Sequence, residues 1–354
     1  MNMQDIISAM LVLAKCDTPV FVWGAPGIGK SDGVRQLARQ TAPSALLPGL
    51  SDDPGVPVID MRLSQKDPVD LRGVPSISNG VTVWNPPSEF PREDRDGPVG
   101  FFFMDEMNCA PPLVQAAGYQ LVLDRRLGDY IFPPGWRIVA AGNRMSDRAS
   151  AQRQPSALAN RFAHLFAEPD VAAWCQWASE NGISPLLIAF IRYRPELLHI
   201  DLMEPAKRES YGFKPGIELQ AFPTPRSVAQ CNKVLRHAPE HLRQRLFAAN
   251  IGDGPAAELE GFVSIWRSLP KLESIIADPI GALVSRDPAV CFALTGALVR
   301  KADVSTVDSI LTYADRMGGD FSVLTALDIK RLKPELQETP AFVSWCVRNQ
   351  HVTL

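Results

Sequence analysis

What this sequence lacks excludes several kinds of protein. Its six cysteines (Cys16, Cys109, Cys175, Cys231, Cys291 and Cys346) contain no C-x-x-C pair and no compact cluster. A disulfide-stapled secreted scaffold is therefore not expected, and reduced thiols in a cytoplasmic protein are. No apolar stretch is long enough to span a bilayer. The N-terminal MNMQDIISAMLVLAKCD has an apolar face but neither a basic n-region nor a cleavage-like site. It reads as a short amphipathic helix lying on the domain, not a signal peptide. The formal net charge is only -3 and the pI about 6.0, so there is no global basic footprint for nucleic acid, although a local basic groove stays open. Neither a nucleophile elbow nor zinc-ligand spacing occurs. His237 and His241 are four apart, but Pro239 lies between them and no acid completes a metalloprotease pattern.

Hydrophobic residues make up 46% of the 354 residues, enough for two or three packed domains. In roughly the first half, short apolar runs alternate with helical patterns, which argues for a parallel α/β sheet. The candidate strands are Val20–Trp23, 56–63, 99–104, 137–141 and 164–167. The run at 99–104 is apolar at almost every position, as expected of an interior strand covered on both faces. Beyond Pro169 the strand signals fade, and helices are expected over Val171–Glu180, Pro185–Tyr193, 226–236, 240–249, 256–269 and Pro288–Lys301. Trp266 and Trp345 fall in apolar helical patterns and are expected in the core. Two excursions interrupt the first half. Asn79-Gly80, between β-prone runs at 74–84, signals a hairpin, and a second is expected over 124–132, turning at Gly128-Asp129.

Behind the first strand stands Gly24-Ala-Pro-Gly-Ile-Gly-Lys-Ser31, a match to G-x-x-x-x-G-K-[ST]. Glycines let successive backbone N–H groups turn toward a phosphate with no Cβ in the way. Lys30 is expected at the β- and γ-phosphates and Ser31 at Mg²⁺, with the following helix directing its N-terminus at the anion. The expected nucleotide-contact set is Gly24, Ala25, Pro26, Gly27, Ile28, Gly29, Lys30, Ser31 and Asp32. The stretch VGFFFMDEMN (99–108) ends a buried strand in two adjacent carboxylates. Asp105 is expected to hold Mg²⁺ or its waters, and Glu106 to orient and deprotonate an attacking water. The strand in WRIVAAGN ends at Asn143, whose amide can reach a γ-phosphate if that strand neighbours the acidic one. No N-K-x-D element occurs, since Asn232-Lys-Val-Leu235 fails at its last position. ATP is therefore expected rather than GTP.

In that order, GAPGIGKS, FFFMDEMN, AAGN, LANRF and TPRS resemble an AAA+ ATPase, specifically of the MoxR-type branch, over about the first two-thirds of the chain. LSQKDPVDLRGVP (63–75) is similar to that branch's stretch ahead of its helix-2 insertion, and the two hairpins fall at its helix-2 and pre-sensor insertions. The resemblance implies Asn143 as sensor 1, Arg161 as an arginine finger supplied to a neighbouring subunit, and Arg226 as sensor 2 of a lid. Arg144, Arg148 and Arg153 are nearby alternatives to Arg161. Thr224 can cap a lid helix with Pro225 at its first position, which places Arg226 in the first turn. The family pattern has an acid where this chain has Asn160, and says nothing firm about the last hundred or so residues.

The expected fold is α/β, a P-loop NTPase αβα core with a parallel five-stranded sheet, followed by an all-α lid and a helical C-terminal extension. The expected boundaries are 1–169 for the core, with insertions at about 74–92 and 124–135, then 170–270 for the lid and 271–354 for the extension. The resemblance implies a homo-oligomeric ring, a hexamer, that uses ATP and Mg²⁺ to remodel a protein client with a von Willebrand factor A domain adaptor. The alternatives are a DNA- or RNA-associated motor and a nucleotide-gated scaffold. The first hairpin carries no Lys or Arg, whereas Arg125 and Arg126 flank the second. That balance favours a protein client.

Overall fold

The apolar runs of the first half are strands. Nine strands occur among the described residues: β1 Val20–Trp23, β2 Val58–Arg62, β3 Val74–Ser78, β4 Val81–Asn85, β5 Val99–Asp105, β6 Arg126–Leu127, β7 Tyr130–Ile131, β8 Gly135–Gly142 and β9 Ala163–Phe166. The computed structural model describes residues 1–144, 160–199 and 221–350. They fall into two compact units, Met1–Asp170 and Val171–Leu354.

In the first unit, five strands form one parallel sheet in the order β2-β5-β8-β1-β9. Its helices are α1 Met3–Lys15, α2 Lys30–Gln40, α3 Pro68–Arg72, α4 Glu93–Asp96 and α5 Pro112–Asp124. The period-2 alternation of each strand divides the core into two layers. Val20, Val22, Phe101, Phe103, Val139 and Ala141 pack with Ile6, Ile7 and Met10 of α1 and Val34 and Leu37 of α2. Their neighbours Phe21, Phe102, Met104, Ile138 and Ala140 face the other way, onto Val114, Leu121 and Val122 of α5. All seven residues of β5 are buried, and burying each of Phe101, Phe102 and Phe103 contributes about 2 kcal/mol. This is the αβα sandwich of a P-loop NTPase.

Both hairpins form, and their turns explain them. Asn79 and Gly80 both have positive φ, 51° and 75°, as a two-residue type I′ loop requires. They join β3 to β4 with Ser78 opposite Val81. The second turns at Gly128-Asp129, with Leu127 opposite Tyr130. Arg125, expected as part of a basic hairpin, is folded inward instead. It donates to the carbonyls of Pro133 and Trp136 at 2.7 Å each and lies over the Phe132 ring. Burial holds its guanidinium below the usual arginine range.

α1 is tied to the sheet by one buried cation. Arg137 of β8 donates to Ala14 O at the C-terminal end of α1 (2.7 Å), to Pro134 O (2.7 Å) and to Leu46 O (2.6 Å). The guanidinium thus bonds three carbonyls at once, of which Ala14 O also accepts Asp17 N (3.2 Å) and Pro134 O also accepts from Arg125 (3.4 Å).

The second unit contains no strand among its described residues. Its longer helices span Val171–Glu180, Pro185–Tyr193, Pro225–His237, Glu240–Ile251, Asp253–Arg267, Pro288–Lys301, Val307–Met317, Gly319–Leu332 and Pro340–Arg348. Pro288–Lys301 is shared by two apolar clusters: Ala289 and Ala293 belong to one, Leu294 and Leu298 to the other. Trp345 is fully buried in the second cluster, its Nε1 donating to Asp315 and Ser322 at 2.9 Å. Trp266 packs against the first cluster but is only partly buried.

Candidate nucleotide site

Because the sheet is parallel, β1, β2, β5 and β8 all end at the same edge. The chain starts inside the sheet at β1, leaves for the far edge, and returns to both sides of it. A crevice at the carboxyl ends of such strands is where α/β sheets bind ligands. The candidate residues collect there.

The loop 24–31 leaves β1 and enters α2. Gly27 and Gly29 have φ of 77° and 105°, values that an L side chain resists, and Gly29 is the N-terminal cap of α2. Lys30 turns back over the loop. Its Nζ donates to Gly24 O (2.6 Å), Ala25 O (3.1 Å) and Asn143 Oδ1 (2.9 Å). Ser31 Oγ donates to Asp105 Oδ2 at 2.9 Å. Asp105 is 9% exposed, and its other oxygen accepts the Glu106 backbone N–H at 2.9 Å.

Glu106 has a left-handed backbone, φ 54° and ψ 32°, a conformation that costs a non-glycine residue about 1 kcal/mol. Strain of that kind concentrates at functional sites. The kink ends β5 and turns the carboxylate toward Ser64, whose Oγ donates to Glu106 Oε2 at 2.5 Å. Ser64 lies two residues beyond the end of β2, so the sheet edge brings it to Glu106 across 42 residues of sequence.

Asn143 follows β8, and β8 pairs with β5, as the sequence required for a shared site. Asn108 fixes it from behind. Asn108 Nδ2 donates to Asn143 O (2.7 Å), and Asn143 N donates to Asn108 Oδ1 (3.2 Å). Asn108 is fully buried. A Cβ on Gly142 would come within 2.2 Å of Asn108 Oδ1 and 2.9 Å of Phe21 Cε1, so this brace depends on glycine at 142.

Charge around the site is graded. Burial raises the Asp60 carboxyl above its ordinary value, and the nearby charge of Asp105 raises it further, against the lowering effect of Arg35 and Arg62. Burial, then the charge of Glu106, likewise pushes up the Cys109 thiol. Asp32 spends its carboxylate on Arg35 at 3.2 Å.

Five of the expected residues are therefore in one place: Lys30, Ser31, Asp105, Glu106 and Asn143. Arg161 lies just ahead of β9 and is exposed. Arg226 belongs to the second unit, exposed in the first turn of Pro225–His237. Its helix is capped as anticipated, Thr224 Oγ1 accepting from Ser227 N at 3.1 Å. Arg144 is described; Arg148 and Arg153 lie outside the described residues. Ser64 and Asn108 were not singled out from the sequence. Their signal was position alone, one two residues beyond the end of β2 and the other two residues beyond Glu106.

The donor set fits a magnesium nucleotide. The Lys30 ammonium is held by two loop carbonyls and the Asn143 amide, neutral partners that phosphate oxygens can replace. Among the described residues, no group of three or more His, Cys, Asp or Glu could hold a metal. A Ser–Asp pair with few protein ligands suits Mg²⁺ that arrives on a nucleotide's phosphates.

No family model matches the chain. Solved structures resemble it loosely. One is NtrX from Brucella abortus, at 11% identity and a TM-score of 0.34, over 96% of this chain and 64% of that one. A RuvB variant from Thermotoga maritima aligns at 16% identity and a TM-score of 0.35, over 77% of this chain and 76% of that one. A full-length MCM homolog from Methanopyrus kandleri aligns at 14% identity and a TM-score of 0.30, over 72% of this chain and 54% of that one. The strand order β2-β5-β8-β1-β9, with the phosphate loop between β1 and α2, makes the first unit a P-loop NTPase core.

Proposed function

We propose that this protein is an AAA+ ATPase of the MoxR type, which hydrolyses ATP in a homo-oligomeric ring to remodel a protein client. The observation that carries the reading is the convergence of Lys30, Ser31, Asp105, Glu106 and Asn143 at one sheet edge. In this reading the backbone of 24–31 cradles the phosphates, and Lys30 exchanges its carbonyl partners for β- and γ-phosphate oxygens. Ser31 and Asp105 hold Mg²⁺, which when bound neutralises charge between those phosphates. Asn143 orients the attacking water or the γ-phosphate. Glu106 accepts the water's proton as its oxygen bonds to the γ-phosphorus. The bond to the β-phosphate oxygen breaks, leaving ADP and phosphate. Ser64 holds the carboxylate in position. Arg161 of one subunit stabilises the charge developing at its neighbour's site, and Arg226 reports the γ-phosphate to the lid.

The first hairpin supports a protein client. Val74, Ile77 and Val81 are 63–83% exposed there, and neither β3 nor β4 carries a Lys or Arg. The inward fold of Arg125 removes one of the two cations that the second hairpin could offer to a phosphate backbone. A hexamer, a von Willebrand factor A domain adaptor and a cytoplasmic setting complete the reading on the strength of the resemblance.

Mixing two inactive variants tests the shared site. Arg161→Ala should bind ATP but hydrolyse it poorly, because the loss falls on the transition state. Lys30→Ala should not bind it. Mixed rings contain interfaces with both residues intact, so part of the ATPase activity should return. A mixture that stays inactive counts against a finger supplied in trans.

A further inference from the structure

The second unit holds a cavity of about 610 Å³ that the proposed ATPase cycle does not use. Arg236, Arg243, Arg267, Arg300, Trp266 and Ser184 line it. Four guanidinium groups around one cavity is an unusual concentration in a chain of net charge -3.

Helix ends explain part of it. Arg236, Arg267 and Arg300 each lie in the last turn of a helix, where a cation is favoured by the helix dipole. The dipole does not cancel their mutual repulsion, however, and the acids present cover only part of it. Arg243, buried to 5% side-chain exposure, is held by Glu260, and Arg267 pairs with Glu240 at 2.5 Å. Arg236 donates to a neutral acceptor, the Gly182 carbonyl. Among the described residues, the Arg300 side chain makes no hydrogen bond or ion pair. Arg236 and Arg300, both exposed, thus have no acidic partner among the described residues. Ser184 begins the helix Pro185–Tyr193 there, and its side chain caps no backbone N–H of that helix. A donor-rich wall of this kind is made for an anion, and guanidinium groups prefer planar or tetrahedral oxyanions that accept two bonds at once. The indole of Trp266 adds a flat aromatic surface to the same cavity. Guanidinium donors beside an aromatic plane are the elements that hold the phosphate and the base of a nucleotide. The volume is that of a small-ligand pocket.

From this arrangement we infer that the cavity is a second nucleotide-binding site, separate from the phosphate loop, and takes one phosphate-plus-base unit of a free nucleotide or of a single strand. Arg236 and Arg300 bind the phosphate, Trp266 stacks on the base, and Arg243, fixed by Glu260, shapes the wall.

The test uses the full chain carrying Lys30→Ala, so that the phosphate loop does not compete. Binding is measured by fluorescence anisotropy with a labelled oligothymidylate and by calorimetry with thymidine 5′-monophosphate. A further Arg236→Ala and Arg300→Ala change should weaken binding about tenfold or more. For the strand it should also flatten the salt dependence by about 1.4 logarithmic units per decade, about 0.7 per lost ion contact. Arg300→Lys should preserve that slope. Melting followed by circular dichroism establishes that each variant is folded. Binding of the monophosphate alone assigns the site to free nucleotides; binding of both assigns it to a strand. The inference is overturned if neither ligand binds, if the double change leaves affinity unaltered, or if polyglutamate binds there and the nucleotides do not. None of these outcomes depends on whether the phosphate loop hydrolyses ATP.

Discussion

Replacing Gly142 by alanine adds one methyl group where the site is least able to take it. The new Cβ would lie 2.2 Å from Asn108 Oδ1, 2.8 Å from Asn108 Cγ and 2.9 Å from Phe21 Cε1. Asn108 and Phe21 are both fully buried, so neither can swing into solvent. Overpacking of this kind costs about 1–3 kcal/mol. Displacing Asn108 also breaks its two bonds to the Asn143 backbone, at about 1 kcal/mol each. The sum is about 3–5 kcal/mol of stability, read by urea denaturation. Turnover should fall by up to about 100-fold, the effect of moving a positioned group by roughly 1 Å, because Asn143 shares its Oδ1 with Lys30. A double-mutant cycle with Asn108→Ala sharpens the expectation. That change removes two of the three close contacts but leaves Phe21, so the two substitutions should couple by about 2 kcal/mol. Additive effects, or a Gly142→Ala protein with wild-type stability and turnover, would show that Asn108 does not brace Asn143 through the space beside Gly142.

Two further outcomes follow from charges on the sheet. Arg137→Met should destabilise the first unit by about 2 kcal/mol, since it removes three hydrogen bonds, one of them to the buried Leu46 carbonyl, while keeping most of the side chain's volume; an unchanged urea midpoint would contradict this. The raised Asp60 carboxyl means that the folded state binds its proton more readily than the unfolded chain. Wild-type stability relative to Asp60→Asn should therefore fall as pH rises from about 4 through the folded-state value, and be flat above it. A difference that grows with pH over that window would show that the pairing with Arg35 outweighs burial.

The parts of the molecule that were legible beforehand are those written in local periodicity. β1 and the helices Val171–Glu180, Pro185–Tyr193 and Pro288–Lys301 have the bounds that the apolar pattern implies. Asn79-Gly80 likewise announces its own turn, because only φ > 0 residues suit it. β8 begins two residues earlier than its apolar run because Gly135 pairs with Val99 across the sheet, which no local pattern records. Ser64 and Asn108 were illegible for a related reason. Their partners lie 42 and 35 residues away, and a lone hydroxyl or amide carries no periodic signal. Arg125 misled because a flanking arginine looks the same in sequence whether it faces solvent or stacks on Phe132. The helices Val307–Met317 and Gly319–Leu332 follow one another across a single glycine, Gly318 at φ 120°.

Hydrolysis of ATP at this sheet edge rests on Glu106. The direct measurement is single-turnover hydrolysis of Mg·ATP by wild type and Glu106→Gln, with the ATP dissociation constant determined for both. Affinity should be equal, because Lys30 and Ser31 are untouched, and hydrolysis slowed by about 10²–10⁴-fold, because an amide cannot accept the water's proton. Hydrolysis by Glu106→Gln at the wild-type rate would contradict it.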